Sequence, residues 1–437
     1  MAAELVQSKI KLSIGILVSN RIGTIRKCME SLVPLLCSVP SELIALDTVG
    51  ETTDGSINVV KEYTDKVYRY EWCKDFADAR NTCLQYASGE WFLFLDDDEW
   101  FDSVEDLTEF FRNEDREKYG FGMFHVRNHT VSGGYNTTLA TRMIRRRKDT
   151  HFVGRIHECF HELHAEGKQF ECFLHHSGYA FVNEEERKVH QERNISILQK
   201  DLEEQGISPR RCTQMVQELM SCDDTLKKGY EYSMSCFPEL VKNWAMDSCT
   251  QWLLVAGLRY FHKIHDYEGL LNQVDFISGY GLSQAAALAI YGVWVHAAVD
   301  AKDYQRIPGL AASFIEQYCW LKQNPEECMA QTQLDFPKYQ EEEYLEQVVQ
   351  VGAITANGLG RYDEAYQLWQ YMPWKNLKKF GQQYQADLLE TLRKISDKTP
   401  LVTYYRQFFK EECFSTANRK CLPKECRDAL HQIEKGQ

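Results

Sequence analysis

Residues 12–18 are apolar or small throughout, with no polar face. Such a short, partly β-branched run predicts a strand buried on both sides. Over residues 22–36 the period changes. Ile25, Cys28, Met29, Leu32 and Leu36 recur every three or four positions, which predicts a helix with one buried stripe. The alternation then repeats. Residues 43–46 predict a strand ending at Asp47, 57–63 a helix, and 67–70 a strand. Residues 76–87 predict a helix with Ala79, Cys83 and Tyr86 on one face, and 91–95 a strand that runs into four acids. Strands alternating with helices predict a mostly parallel sheet covered on both faces. In such sheets ligands bind beyond the carboxyl ends of the strands, where Asp47 and Asp96, Asp97 and Asp98 stand.

From about Val182 onward the pattern is almost wholly helical. Gly360, Tyr362 and Ala365 form a glycine-tyrosine-alanine signature, echoed at Asp266-Tyr267 and Asp303-Tyr304. The first two tyrosines stand close to a tetratricopeptide period of about 34 residues apart, and the next interval is much longer. The expectation is a degenerate, all-α helical-repeat domain over 205–437, after an α/β domain over 1–200, with the join between Leu198 and Arg210. The aromatic stretches 244–260 and 369–374 are expected to be helix-packing core, or else an acceptor groove.

A net charge of −14 excludes a bulk field that would attract nucleic acid or an anionic membrane. A phosphorylated substrate would need a bound cation or focused arginines. The N-terminus shows no signal peptide and no window is apolar enough to span a membrane, so the expected location is the cytoplasm. The 15 cysteines are scattered, and free thiols are the expectation there. Cys413, Cys421, Cys426 and His431 lack paired zinc-ligand spacing. The sequons at Asn128, Asn136 and Asn194 then read as chance matches.

Asp96-Asp97-Asp98-Glu99 is the sharpest chemical signal. Four adjacent acids repel one another at the mouth of a buried strand, and a divalent cation would offset that cost. Mg²⁺ or Mn²⁺ takes one or two protein carboxylates plus phosphate oxygens. Asp96 and Asp98 fall on one side of an extended chain. The alternative is a solvated acidic loop.

Other elements accompany the acids: the strand leading to Ser19-Asn20, the turn holding Asp47 and Asp54, and Asp75-Phe-Ala-Asp-Ala-Arg80-Asn81. With these in order, the chain resembles glycosyltransferase family 2, the GT-A fold, over roughly residues 10–200. Thr141-Arg142, Phe152-Val-Gly-Arg155-Ile-His157-Glu158, His176-Ser-Gly178-Tyr179, Lys188 and Arg193-Asn194 extend the resemblance to members with a helical-repeat tail, the sublancin-type peptide S-glycosyltransferases among them. Two departures stand out. Ser19-Asn20-Arg21 replaces the Lys-Asn-Glu of many relatives, and the Asp47 turn is two residues longer.

The resemblance implies a metal-dependent, inverting glycosyltransferase with a nucleotide-sugar donor, UDP-linked, and a peptide, protein or glycan acceptor. It implies donor binding by Ser19, Asn20, Asp47, Asp54, Arg80, Asp96, Asp97 and Arg193. Asp98 and His176 would hold Mn²⁺ or Mg²⁺, and Glu158 beside His157 would serve as base, with Asp97 and Glu99 as the alternative bases. For His176 and Arg193, a core histidine and a solvated helix face are the plain alternatives. Arg145, Arg146 and Arg147 read as solvated surface. The helical domain would select the acceptor or form a homo-oligomer. The competing readings are a nucleotidyltransferase, against which no glycine-rich phosphate loop follows the first strand, and a non-catalytic helical scaffold with a vestigial nucleotide-sugar domain.

Overall fold

A computed structural model describes residues 9–50, 53–130, 133–178, 183–244, 246–327, 339–375 and 381–435. The chain divides into two compact units, Met1–Gly206 and Ile207–Gln437.

In the first unit, β1 (Leu12–Val18) is buried at all seven positions. It lies between β2 (Ser41–Asp47) and β4 (Trp91–Asp96), parallel to both. A strand with neighbours on both edges and layers on both faces must be apolar throughout, which is why it reads as a continuous run. Helix α1 (Ile22–Ser38) buries Ile25, Cys28, Met29, Leu32 and Leu35 in the core of one face. On the other face lies α3 (Phe76–Gln85), which buries Ala77, Ala79, Arg80, Cys83 and Leu84. Its approach depends on Gly15, where a Cβ would come 2.8 Å from Cys83 Sγ and 2.5 Å from the Phe92 ring.

The expected mostly parallel sheet holds only in its first half. The eight strands run β3-β2-β1-β4-β7-β6-β10-β5, with β3 (Val67–Arg69) and β5 (Glu99–Phe101) at the edges. Strand β7 (Tyr135–Arg145) pairs antiparallel with both β4 and β6 (Tyr119–His129). Strand β10 (Glu166–His176) is parallel to β6 and antiparallel to β5. The reason is local. Only a few residues separate β6 from β7, and a short connection permits only antiparallel pairing. The sheet is therefore mixed, an α/β unit closed by α5 (Glu184–Gln205).

The second unit is all-α in its described residues. Its helices include α6 (Pro209–Leu219), α7 (Leu226–Asn243), α8 (Ser248–Lys263), α9 (Tyr267–Ser278), α10 (Gln284–Asp300) and α11 (Ile307–Gln323). The weak tyrosine echoes prove to be one repeated turn. His265, Lys302 and Gly360 all adopt left-handed backbone, two residues before Tyr267, Tyr304 and Tyr362. At each, the next amide reaches back to the helix, Asp266 to Phe261, Asp303 to Ala298 and Arg361 to Ala356. This is the same helix C-terminal cap used three times. Trp252, Trp369 and Trp374 are buried, so the aromatic stretches serve mainly as core. Among the described residues no helix is long and apolar enough to cross a membrane. The described cysteines are free thiols, and no cluster of three His, Cys, Asp or Glu ligands forms among those residues.

Candidate active site

The carboxyl ends of β1, β2 and β4 open into a cleft of about 450 Å³. The loop after β1 gives it Ser19 and Arg21, the loop after β2 gives Thr48 and Val49, and α3 gives Phe76 and Arg80. The acidic turn, Arg142 of β7, residues 156–158, His176, Gly178 and the α5 residues His190, Arg193 and Asn194 complete the wall.

The four acids are sorted into four different environments. Asp96 Oδ1 accepts from Arg80 Nη2 at 2.7 Å. Burial alone would raise its carboxyl, but Arg80 and Arg142 hold it down at about 2. Asp97 Oδ2 accepts from the Ser19 amide at 2.6 Å and the Ser19 hydroxyl at 2.8 Å. Its burial outweighs those bonds and pushes the carboxyl up to about 7. Asp98 lies 3.0 Å from Arg21 Nη1 and 3.6 Å from His176 Nε2. Burial first, and then the Asp96 charge, push it above the ordinary carboxylate range. Glu99 is fully buried, takes a 2.5 Å bond from Arg142 and accepts the Asp96 amide. Burial raises it despite that arginine. Three arginines, Arg80, Arg21 and Arg142, stand against Asp96, Asp98 and Glu99.

Arg80 is the centre of this arrangement. Asp75 caps α3 by accepting the Asp78 amide at 2.9 Å, which fixes where the helix starts and so where Arg80 points. Arg80 is 2 % exposed. Its Nε donates to Glu158 Oε1 at 2.8 Å, its Nη1 reaches the Leu95 carbonyl at 3.3 Å, and it lies over the Phe94 ring. Arg80, expected to bind the donor, lines the cleft and joins Asp96 to Glu158 there. Asn81 of the same helix turn holds both backbone groups of Phe152, which anchors the strand leading to Glu158. In that segment Gly154 and His157 take left-handed backbone, with φ of 90° and 52°. His157 is exposed in the cleft and Glu158 half-buried beside it.

The other expected residues divide. His176 and Arg193 line the cleft with Asp96, Asp97 and Asp98. Asn20, Asp47 and Asp54 do not. Asn20 accepts the Thr53 amide, and Asp54 accepts the amides of Ile22 and Ser56, so it ties together the starts of α1 and α2 (Ser56–Val60). Asp47 is buried and accepts the Val49 amide at 3.2 Å. Arg145 and Arg146 are not solvated surface. Arg145 pairs with Glu117, and Arg146 donates to the Gly89 carbonyl at 2.7 Å. Tyr179 lies outside the described residues. Arg21, Arg142, Trp72 and Phe76 line the cleft, though the sequence reading gave none of them a site role. For the two arginines a signal existed, since four clustered acids require nearby cations. The aromatic pair, in edge contact at 4.7 Å, left none.

Asp98 and His176 fit two positions of a cation site. A Cβ on Gly178 would fall 2.4 Å from His176 Nε2 and 2.9 Å from Asp98 Oδ2, so glycine keeps the space beside both open. The pair fits Mg²⁺ or Mn²⁺ whose remaining ligands are substrate oxygens and water. It does not fit an all-protein cage, because no third ligand joins them among the described residues.

Residues 13–169 match the family Glycosyl transferase family 2. This stretch is a glycosyl transferase family 2 domain. It contains Arg80, the four acids and Glu158, whereas His176 and Arg193 lie beyond it. The chain is 36% identical over 86 residues to the SPbeta prophage-derived glycosyltransferase SunS of Bacillus subtilis (strain 168), covering 19% of each protein. It is 28% identical over 148 residues to a TPR repeat-containing protein of Synechococcus elongatus, covering 34% of this chain and 35% of that one. The chain thus matches only about a fifth to a third of the length of these relatives. The structure of S. aureus TarS 1-349 in complex with UDP-GlcNAc aligns with 62% of this chain and 93% of that one, at 14% identity and a TM-score of 0.34.

Proposed function

We propose that this chain is an inverting glycosyltransferase that moves a sugar from a UDP-linked donor to a peptide, protein or glycan acceptor, with Mn²⁺ or Mg²⁺ at Asp98 and His176. The observation that carries this reading is the gathering of Asp98, Arg21 and Glu158, inside the family 2 match, with His176 and Arg193, beyond it, around one cleft. Trp72, Phe76 and Val49 give the cleft an apolar wall suited to a nucleobase. Arg21 and Arg193 would pair with the diphosphate as charge develops on it. The bound cation would supply Lewis-acid stabilisation of that leaving group.

In the transfer, the acceptor oxygen or sulfur forms a bond to the anomeric carbon. The bond from that carbon to the diphosphate oxygen breaks, and its electron pair leaves with the nucleotide. The acceptor proton passes to Glu158, whose Oε1 is held by Arg80. His157, exposed beside it, would brace the acceptor.

Thermal unfolding of the full chain with UDP, with and without Mn²⁺, tests the reading. UDP is expected to raise the transition, and more so with Mn²⁺. No response to UDP or to a panel of UDP-sugars would sink the donor assignment. Release of pyrophosphate from a nucleoside triphosphate would favour a nucleotidyltransferase instead.

A further inference from the structure

The strands that bring His176 to the cleft also carry a polar relay leading away from it. His176 of β10 stands beside Asn128 of β6 in their parallel pairing. Asn128 Oδ1 lies 2.8 Å from His176 Nδ1, and Asn128 Nδ2 donates to Thr138 Oγ1 of β7 at 3.2 Å. A carboxamide oxygen only accepts, so in this arrangement Nδ1 carries the ring proton. When the ring is neutral, Nε2 then presents its lone pair. That atom is 3.6 Å from Asp98 Oδ1, with both side chains mostly buried. Arg21 Nη1 stands 3.0 Å from the other oxygen of Asp98, which leaves Oδ1 facing the ring nitrogen. Gly178 keeps the adjacent space clear of a side chain.

We propose that Asn128 is a positioning residue for the cation site. It fixes His176 as the Nδ1–H tautomer, so that Nε2 and Asp98 together form the protein's share of the ligands. The proposal rests on the metal-dependent reading above. It also gives a role to Asn128, whose place in a sequon carries no information, since its side chain is engaged within the sheet. Partners of this kind orient the ring and raise the basicity of the ligating nitrogen.

The test is the Mn²⁺ affinity of the full chain in the presence of UDP, measured by electron paramagnetic resonance for wild type, Asn128→Asp and Asn128→Leu. Asn128→Asp keeps the acceptor and should bind Mn²⁺ as tightly as wild type or more tightly. Asn128→Leu should bind at least about tenfold more weakly, the usual scale for losing such a partner. Its metal-free UDP affinity should stay unchanged. Nitrogen-15 spectra of metal-free wild type should show His176 protonated at Nδ1 alone, and Asn128→Leu should lose that preference. Equal Mn²⁺ affinity in Asn128→Leu and wild type overturns the proposal while leaving the metal reading intact. So does a loss in Asn128→Asp as large as in Asn128→Leu, because the amide would then be donating to the ring. A His176 protonated at Nε2 in the metal-free protein also overturns it. Wild type that binds no Mn²⁺ overturns both.

Discussion

Replacing Arg80 with methionine tests whether one buried guanidinium holds the donor and acceptor sides of the cleft together. The side chain is 3 % exposed and bonds to Asp96, Glu158 and the Leu95 carbonyl. Methionine roughly conserves the volume and removes the charge. Asp96 and Glu158 would then lose their shared partner, and removing one partner of a buried ion pair costs about 3–5 kcal/mol. Hydrogen exchange of the β1 and β4 amides, measured on the full chain, reads this loss within the α/β unit alone. At about 1.4 kcal/mol per decade, exchange should quicken by a hundredfold to a few thousandfold, about 10² to 10³ and above. The sign of the pH dependence follows from Asp96, held at about 2 against an ordinary 3.8. Its stabilisation is complete above the ordinary value and is lost as pH falls through about 2. The gap between wild type and Arg80→Met should therefore be full near neutrality and narrow in acid. Adding Asp96→Asn and Glu158→Gln to Arg80→Met should restore much of the loss, because no buried charge is left unpaired. Exchange within about fivefold of wild type at pH 7 would refute the idea that Arg80 is the buried tie.

Three further outcomes are expected. Glu158→Gln should lower turnover on a hydroxyl acceptor by about 10²-fold or more with little change in donor affinity, and turnover within a few-fold of wild type would move the base to Asp97 or Glu99. Asp98→Ala, or excess chelator on wild type, should abolish transfer while circular dichroism stays unchanged, and full activity in chelator would end the metal reading. Glu42 accepts from Ser13, Ser88 and Lys66, and these bonds outweigh its burial to hold the carboxyl at about 2 against an ordinary 4.5. A drop of that size has a ceiling of about 3 kcal/mol, which Lys66, 44% exposed, reduces to about 1–2 kcal/mol. Glu42→Gln should therefore destabilise the protein at pH 7 by about that much, a difference that fades as pH falls from 4.5 towards 2, and a constant difference across that range would contradict the assignment.

Much of the fold was legible because local periodicity reports local structure. The runs that became β1, β2 and β4 are mostly apolar because neighbours cover them on both faces and both edges. The helical character of the second unit, and the place of the acids at a strand's carboxyl end, follow from the same kind of pattern. The family resemblance rests on motifs in chain order, which need no knowledge of contacts. What each acid faces was not legible. Asp96, Asp97, Asp98 and Glu99 are consecutive, yet their partners Arg80, Ser19, Arg21 and Arg142 come from a helix, a loop and a distant strand. Arg80 and Glu158 are 78 positions apart, and Asn128 and His176 are 48 apart. Such pairs depend on strand order and register. A register slip of one residue sends every side chain of a strand to the opposite face, and nothing within a single segment specifies the register between β6 and β10. The sequence could supply the charges, but only the assembled sheet decides which of them are neutralised by arginine and which carboxylate is left beside a histidine.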